Sequence, residues 1–71
     1  MSKAKLEEKL GKNVRKYRKK LKMSQENLAF EAKIERSYIS AIERGKRNPS
    51  IQVVSKIAKA LKVPFSDLFP T

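Results

Sequence analysis

The stretch "SQENLAFEAKIERSYISAIERG", residues 24–45, decides how the chain folds. It opens on Ser24, whose side-chain oxygen suits a helix N-cap, and ends on Gly45, placed where a helix stops in the left-handed conformation. Between them the apolar residues repeat at helical spacing, in two groups. Leu28, Ala29 and Ala32 make the inner face of one short helix, "QENLAFEA", and two alanines there let another backbone approach closely. Ile39 and Ile42, three apart, make the inner face of a second helix from about Arg36 to Arg44. Around those isoleucines Arg36, Ser37, Tyr38, Ser40 and Ala41 look outward, all small or hydrogen-bonding and none acidic. Asn27 stands three residues after Ser24, where a capping box carries Glu or Gln, so the box is expected to be incomplete.

Working outward, Leu6, Leu10, Val14, Tyr17 and Leu21 recur at steps of three and four and predict a first helix from about Lys5 to Lys20. Gly11 lies inside it and weakens it modestly. On the other side "KRNP" reads as a turn, with Pro49 unable to continue a helix. Ser50 then caps "IQVVSKIAKAL", whose Ile51, Val54, Ile57, Ala58 and Leu61 form one apolar stripe. Pro64 ends it, and "FSDLF" makes a short final turn of helix. Period-two alternation is nowhere sustained, so the fold class is all-α. Residues 1–71 read as one domain of five helices.

Composition narrows the function. The chain has neither cysteine nor histidine, which removes disulfides, thiolate chemistry and the commonest acid–base residue. No metal site or cofactor is indicated, and 71 residues are too few to enclose a substrate cleft, so the chain does not read as an enzyme. Its net charge of +11 predicts a polyanionic partner, nucleic acid before membrane. That charge is concentrated: residues 1–22 carry ten Lys/Arg against two acids. No apolar run reaches a membrane span and "MSKAKLEEKL" has no signal-peptide core, so the expected location is cytoplasmic, with no membrane or small-molecule partner.

The order Gln25, Ala29, Ile34, Ile39, Ile42 is that of a helix-turn-helix: a small residue permits a close crossing and aliphatics pin the second helix. "SQENLA", "RSYISAIERGKRNPS" and "KIAKALKVPFSDLF" resemble the Cro and phage-repressor type of helix-turn-helix domain (XRE-like), small stand-alone restriction–modification controllers included. The resemblance covers positions 6 to 69 and implies a lambda-repressor-like five-helix domain that regulates transcription. Two positions depart from the pattern: Lys33 stands where the turn usually has Gly, and Glu35 where the recognition helix usually has Ser, Thr or Asp.

Roles for individual residues follow. Arg36 is placed for a bidentate contact to guanine O6 and N7, and Ser37 and Tyr38 for a base edge or a phosphate. The resemblance puts Ser40 and Ala41 on the same face, Ala41 within reach of a thymine methyl. It makes Gln25 a phosphate contact at the start of its helix. Arg44, Lys46, Arg47 and Asn48, in the loop after the recognition helix, are expected on phosphates. In similar proteins the residues matching Arg18 and Glu43 form a buried or half-buried ion pair, a structural role. Such regulators also dimerise through their last helix, which implicates Phe65, Leu68 and Phe69 in both a lid on the core and a homodimer interface.

The expected function is therefore sequence-specific binding of double-stranded DNA, as a dimer on a pseudo-palindromic operator read by helix 36–44. The first alternative is an antitoxin-type protein-interaction module, gripping its partner through the C-terminal face or Phe30, with DNA binding secondary. The second is membrane-surface or RNA binding by the basic first helix, which needs none of the isoleucine spacing.

Overall fold

The computed structural model describes residues 2–69, with side chains from Leu6 onward; Met1, Pro70 and Thr71, the ends of the expected domain, lie outside the described residues. It is all-helical: α1 Ser2–Lys20, α2 Gln25–Ala32, α3 Arg36–Glu43, α4 Ile51–Leu61 and α5 Phe65–Leu68, with no strand among the described residues. α1 begins about one turn earlier than the apolar spacing predicts, and α3 ends one residue sooner, at Glu43.

One core holds the five helices together. Val14, Leu28, Ile39, Ile42, Val54, Ile57, Leu61 and Leu68 are all fully buried in it. Each such side chain contributes about 1.5–3 kcal/mol relative to exposure. The expected α1 stripe is shorter than its spacing suggests: Leu10 and Val14 are buried and Tyr17 is half-buried, whereas Leu6 and Leu21 are 48 % and 44 % exposed. α1 outruns the layer it packs on, and its end residues pass beyond the core.

Two expectations about local structure are corrected. The capping box of α2 is complete, because Asn27 substitutes for the longer Glu or Gln. The Asn27 amide donates to Ser24 Oγ at 2.9 Å, and the Ser24 amide donates to Asn27 Oδ1 at 3.3 Å. Gly11 is not merely a weak point in α1. A Cβ there would sit 2.3 Å from the Ile42 carbonyl oxygen and 2.9 Å from that of Glu43, so α1 and α3 cross at a distance only glycine permits.

The ends of α1 to α4 follow one pattern. Lys22, Lys33 and Lys62 have φ of 57°, 59° and 60°, and Gly45 has 73°. At each, the following amide reaches back to close the last turn: Met23 to Arg18 O, Ile34 to Ala29 O, Lys46 to Ala41 O, Val63 to Ala58 O, all between 2.9 and 3.1 Å. Lysine in this conformation costs about 1–2 kcal/mol that glycine avoids. Its charge beside the negative end of the helix dipole offsets part of that.

Candidate nucleic-acid interface

The turn between α2 and α3 sets how α3 is presented. Lys33 is left-handed at φ 59°, ψ 47°, and Ile34, half-buried, is drawn back onto the core. Glu35 is extended, and its carbonyl accepts the amides of Tyr38 and Ile39 at 3.0 and 3.2 Å. The Glu35 side chain makes no cap hydrogen bond, so the first amides of α3 have no side-chain acceptor.

Ile39 and Ile42, both fully buried, seat α3. The 3.6-residue period then puts Ser37 on the opposite side, and it is exposed, as is Arg36. Tyr38, Ser40 and Ala41 occupy the flanks and are half-buried. Glu35, Ser37, Tyr38, Ala41 and Arg47 together line a shallow open hollow on this face. Arg47 comes from the loop after α3, and its guanidinium carbon lies 4.5 Å from the centre of the Tyr38 ring. A cation–π contact thus folds that loop back onto α3. Arg44 lies along its own helix, Nε donating to Ser40 O at 3.3 Å, while Lys46 and Asn48 are exposed on the loop.

Behind this face one carboxylate joins three helices. Arg18 of α1 donates from Nε to Glu43 Oε2 at 2.6 Å and from Nη2 to Oε1 at 3.0 Å, a bidentate pair. Its Nη1 donates to the Met23 carbonyl at 2.8 Å, and Gln25 Nε2 of α2 donates to Glu43 Oε1 at 3.1 Å. The glutamate side chain is only 2 % exposed. The hydrogen bond to Glu43 raises the Arg18 pKa above the already high ordinary arginine value; burial opposes this and the Coulomb attraction adds to it. This arginine stays charged wherever the protein folds. The start of α2 and the end of α3 are held in fixed relation by it.

The helix-turn-helix family HTH_3 matches residues 14–68. The chain belongs to that family. Its members are DNA-binding transcriptional regulators rather than enzymes. The chain is 54 % identical over 59 residues to control protein C.BamHI of Bacillus amyloliquefaciens, spanning 82 % of this chain and 73 % of that protein. It is 42 % identical over 60 residues to control protein C.MunI of Mycoplasma sp, spanning 83 % and 81 %. Among solved structures, the restriction-modification controller protein C.AhdI from Aeromonas hydrophila superposes with a TM-score of 0.87 at 40 % identity, covering 89 % of this chain and 96 % of that one.

In this HTH_3 domain the residues picked out for DNA fall into distinct groups. Ser37, Tyr38, Ala41 and Arg47 converge on one hollow; Arg36 does not line it and is exposed at the start of α3, and Lys46 and Asn48 are exposed on the following loop. Gln25 is already engaged with Glu43, which leaves one of its two amide hydrogens for another acceptor. The C-terminal trio divides. Leu68 is fully buried, because α5 folds back on α1 and Asn13 Nδ2 donates to the Leu68 carbonyl at 2.9 Å. Leu68 is therefore core and has no surface to offer a partner. Phe65 is 37 % exposed and Phe69 half-buried, their rings 4.8 Å apart between centres.

Three contacts escaped the sequence: the Asn13 bond to α5, the Gln25 bond to Glu43 and the Arg47–Tyr38 stack. Each joins residues far apart in sequence or across a loop, and local spacing carries no sign of them.

Proposed function

We propose that this protein binds double-stranded DNA sequence-specifically as a homodimer, laying α3 in the major groove of each half of a pseudo-palindromic operator. The observation that carries this is the α3 face itself. Its two isoleucines are spent on the core, and Glu43, the acid of the helix, is tied to Arg18 and Gln25. What remains outward from α3 and its following loop is Arg36, short hydroxyls, Ala41 and the Tyr38–Arg47 stack, a set suited to base edges and a thymine methyl, with the exposed Glu35 ahead of the helix the one acid lining the same hollow.

In this reading Arg36, Ser37, Tyr38, Ser40 and Ala41 face bases, while Arg44, Lys46, Arg47, Asn48 and the free amide hydrogen of Gln25 face phosphates. Phe65 and Phe69 pair two protomers so that their α3 helices sit about 34 Å apart, one helical turn. Neutralising six phosphates per dimer makes log K fall with log salt at a slope of about −5. The likeness to C.AhdI, a restriction-modification controller, supports a regulator of a restriction–modification gene pair, acting in the cytoplasm where its operator is.

Selection of a randomised duplex pool at about physiological salt tests this. An enriched inverted repeat with half-sites one helical turn apart is the expected result. Binding without enrichment that vanishes as salt rises would refute it. Arg36→Ala is expected to relax one base-pair preference by about 1–3 kcal/mol, whereas Lys46→Ala weakens all sequences alike and flattens the salt slope.

Phe30 favours a second role beside this one. It is 80 % exposed on α2 and borders a hollow with Ala29 and Ile34, as a surface for a protein partner would. A stable complex with the product of an adjacent gene, abolished by Phe30→Ser with DNA binding intact, would establish it.

A further inference from the structure

α1 carries more positive charge than its place beside the recognition helix uses, and the 3.6-residue period sorts that charge into flanks. Gly11, Arg15 and Arg18 fall on one flank, and this is the side that meets α3: Gly11 lies against the backbone of Ile42 and Glu43, and Arg18 holds Glu43. Lys9, Asn13, Lys16 and Lys20 fall on the opposite flank. Asn13 identifies its neighbour, because its amide is bonded to the Leu68 carbonyl of α5. Lys9, Lys16 and Lys20, all exposed, therefore line the α5 side of α1, across the buried stripe of Leu10 and Val14 from α3.

Among the described residues no acid pairs with them. None of the positions three or four residues from any of the three lysines is acidic, and the one ion pair among the described residues is Arg18–Glu43. Asp67 is the acid of α5 and makes no ion pair with them. Like charges at this spacing oppose helix formation. A favourable helix dipole accounts for cations in the last turn only, and Lys9 and Lys16 lie before it. Two of the ammonium groups moreover lie beside the same aromatic ring: Lys16 Nζ is 5.2 Å and Lys20 Nζ 5.7 Å from the centre of the half-buried Tyr17 ring. The ring, packed against the core, holds both charges on one side of the helix.

We propose that Lys9, Lys16 and Lys20 form a second surface for the phosphate backbone of duplex DNA, separate from the α3 face, so that one molecule joins two DNA segments. Phosphates seated between Lys16 and Lys20 relieve the repulsion that the fold leaves unpaired. The contact is blind to sequence and sensitive to salt, because it reads charge alone.

The test is capture of a second duplex. The tightest-bound duplex from the selection above is fixed to beads and saturated with the full-length protein, and retention of a second, labelled random duplex is measured at about physiological salt. Lys9→Gln/Lys16→Gln/Lys20→Gln is expected to lower retention of the second duplex at least fivefold while binding to the fixed duplex changes less than twofold. The matching lysine-to-arginine triple keeps both. Lys56→Gln/Lys59→Gln/Lys62→Gln, an equal loss of charge on α4 and just after it, leaves retention in place, and melting curves verify that each variant is folded. Retention unaffected by the α1 triple would overturn the proposal, as bridging would then run through two α3 helices. Equal loss from the α4 triple would overturn it too, since net charge alone would suffice. So would a parallel loss of binding to the fixed duplex, which would place the lysines in the α3 interface.

Discussion

Gly11→Ala is the substitution whose effect the structure fixes most tightly. In an exposed helix interior this change stabilises by about 1 kcal/mol. Here the new methyl would lie 2.3 Å from the Ile42 carbonyl oxygen, where ordinary contact begins at 3.4 Å, so α1 and α3 must part by about 1 Å. Parting them overpacks the crossing, at about 1–3 kcal/mol. It also stretches the Arg18–Glu43 bonds, now 2.6 and 3.0 Å, and weakens a pair whose full loss costs about 3–5 kcal/mol. Taking roughly a third of that loss and subtracting the gain in helix propensity leaves a net destabilisation of about 1–4 kcal/mol. In a domain of this size the midpoint then falls by roughly 5–30 °C. Thermal and urea melting followed by far-ultraviolet circular dichroism reads it, with Lys12→Ala on the exposed side of α1 as a control that moves by less than about 0.5 kcal/mol. A midpoint unchanged or raised in Gly11→Ala would refute the close crossing.

Arg18→Met, which leaves Glu43 buried without its partner, is expected to cost about 3–5 kcal/mol, and Glu43→Gln beside the intact arginine less; urea denaturation of both singles and the double gives the coupling, and an additive result would dismiss the pair as a joint. Since the pair raises the Arg18 pKa, its contribution is fully present below the unfolded arginine value and is lost only as pH rises past it; alkaline melts should show no step from this residue. Lys33→Gly removes the left-handed cost and should stabilise by about 0.5–1 kcal/mol, a rise of a few degrees in the melting midpoint; a fall would mean the lysine charge or chain entropy outweighs the backbone. Phe65→Ser should weaken self-association at least tenfold in sedimentation equilibrium while the monomer melts within a few degrees of the parent; an unchanged dimer would move the interface elsewhere.

Much of this was legible in the sequence because the deciding signals are local. Ser24, Ser50, Gly45 and Pro64 mark helix limits, and Ile39 with Ile42 names the buried side of α3 without any knowledge of its neighbours. Signals that depend on where elements meet were not legible. Gly11 reads as a propensity defect until α3 is laid across it, and then becomes a requirement. Leu68 looks available among three apolar residues near the chain end until α5 turns back onto α1. Leu6 and Leu21 keep the helical period yet pass beyond the layer they would cover, because a repeat fixes direction and not reach. Arg18 and Glu43, 25 residues apart, were anticipated only through resemblance, and Gln25 joining them was not anticipated at all.

The division of labour on α3 bears on how such a protein diversifies. The helix is fastened from behind, by two isoleucines and by a glutamate held from two other helices, while Arg36 and Ser37 project into solvent. Substitutions at those outward positions leave the fastening untouched. If Arg36 and Ser37 read the operator as proposed, a lineage built on this frame is free to wander from one operator to another through exchanges at a few codons, with the fastening of α3 unchanged throughout.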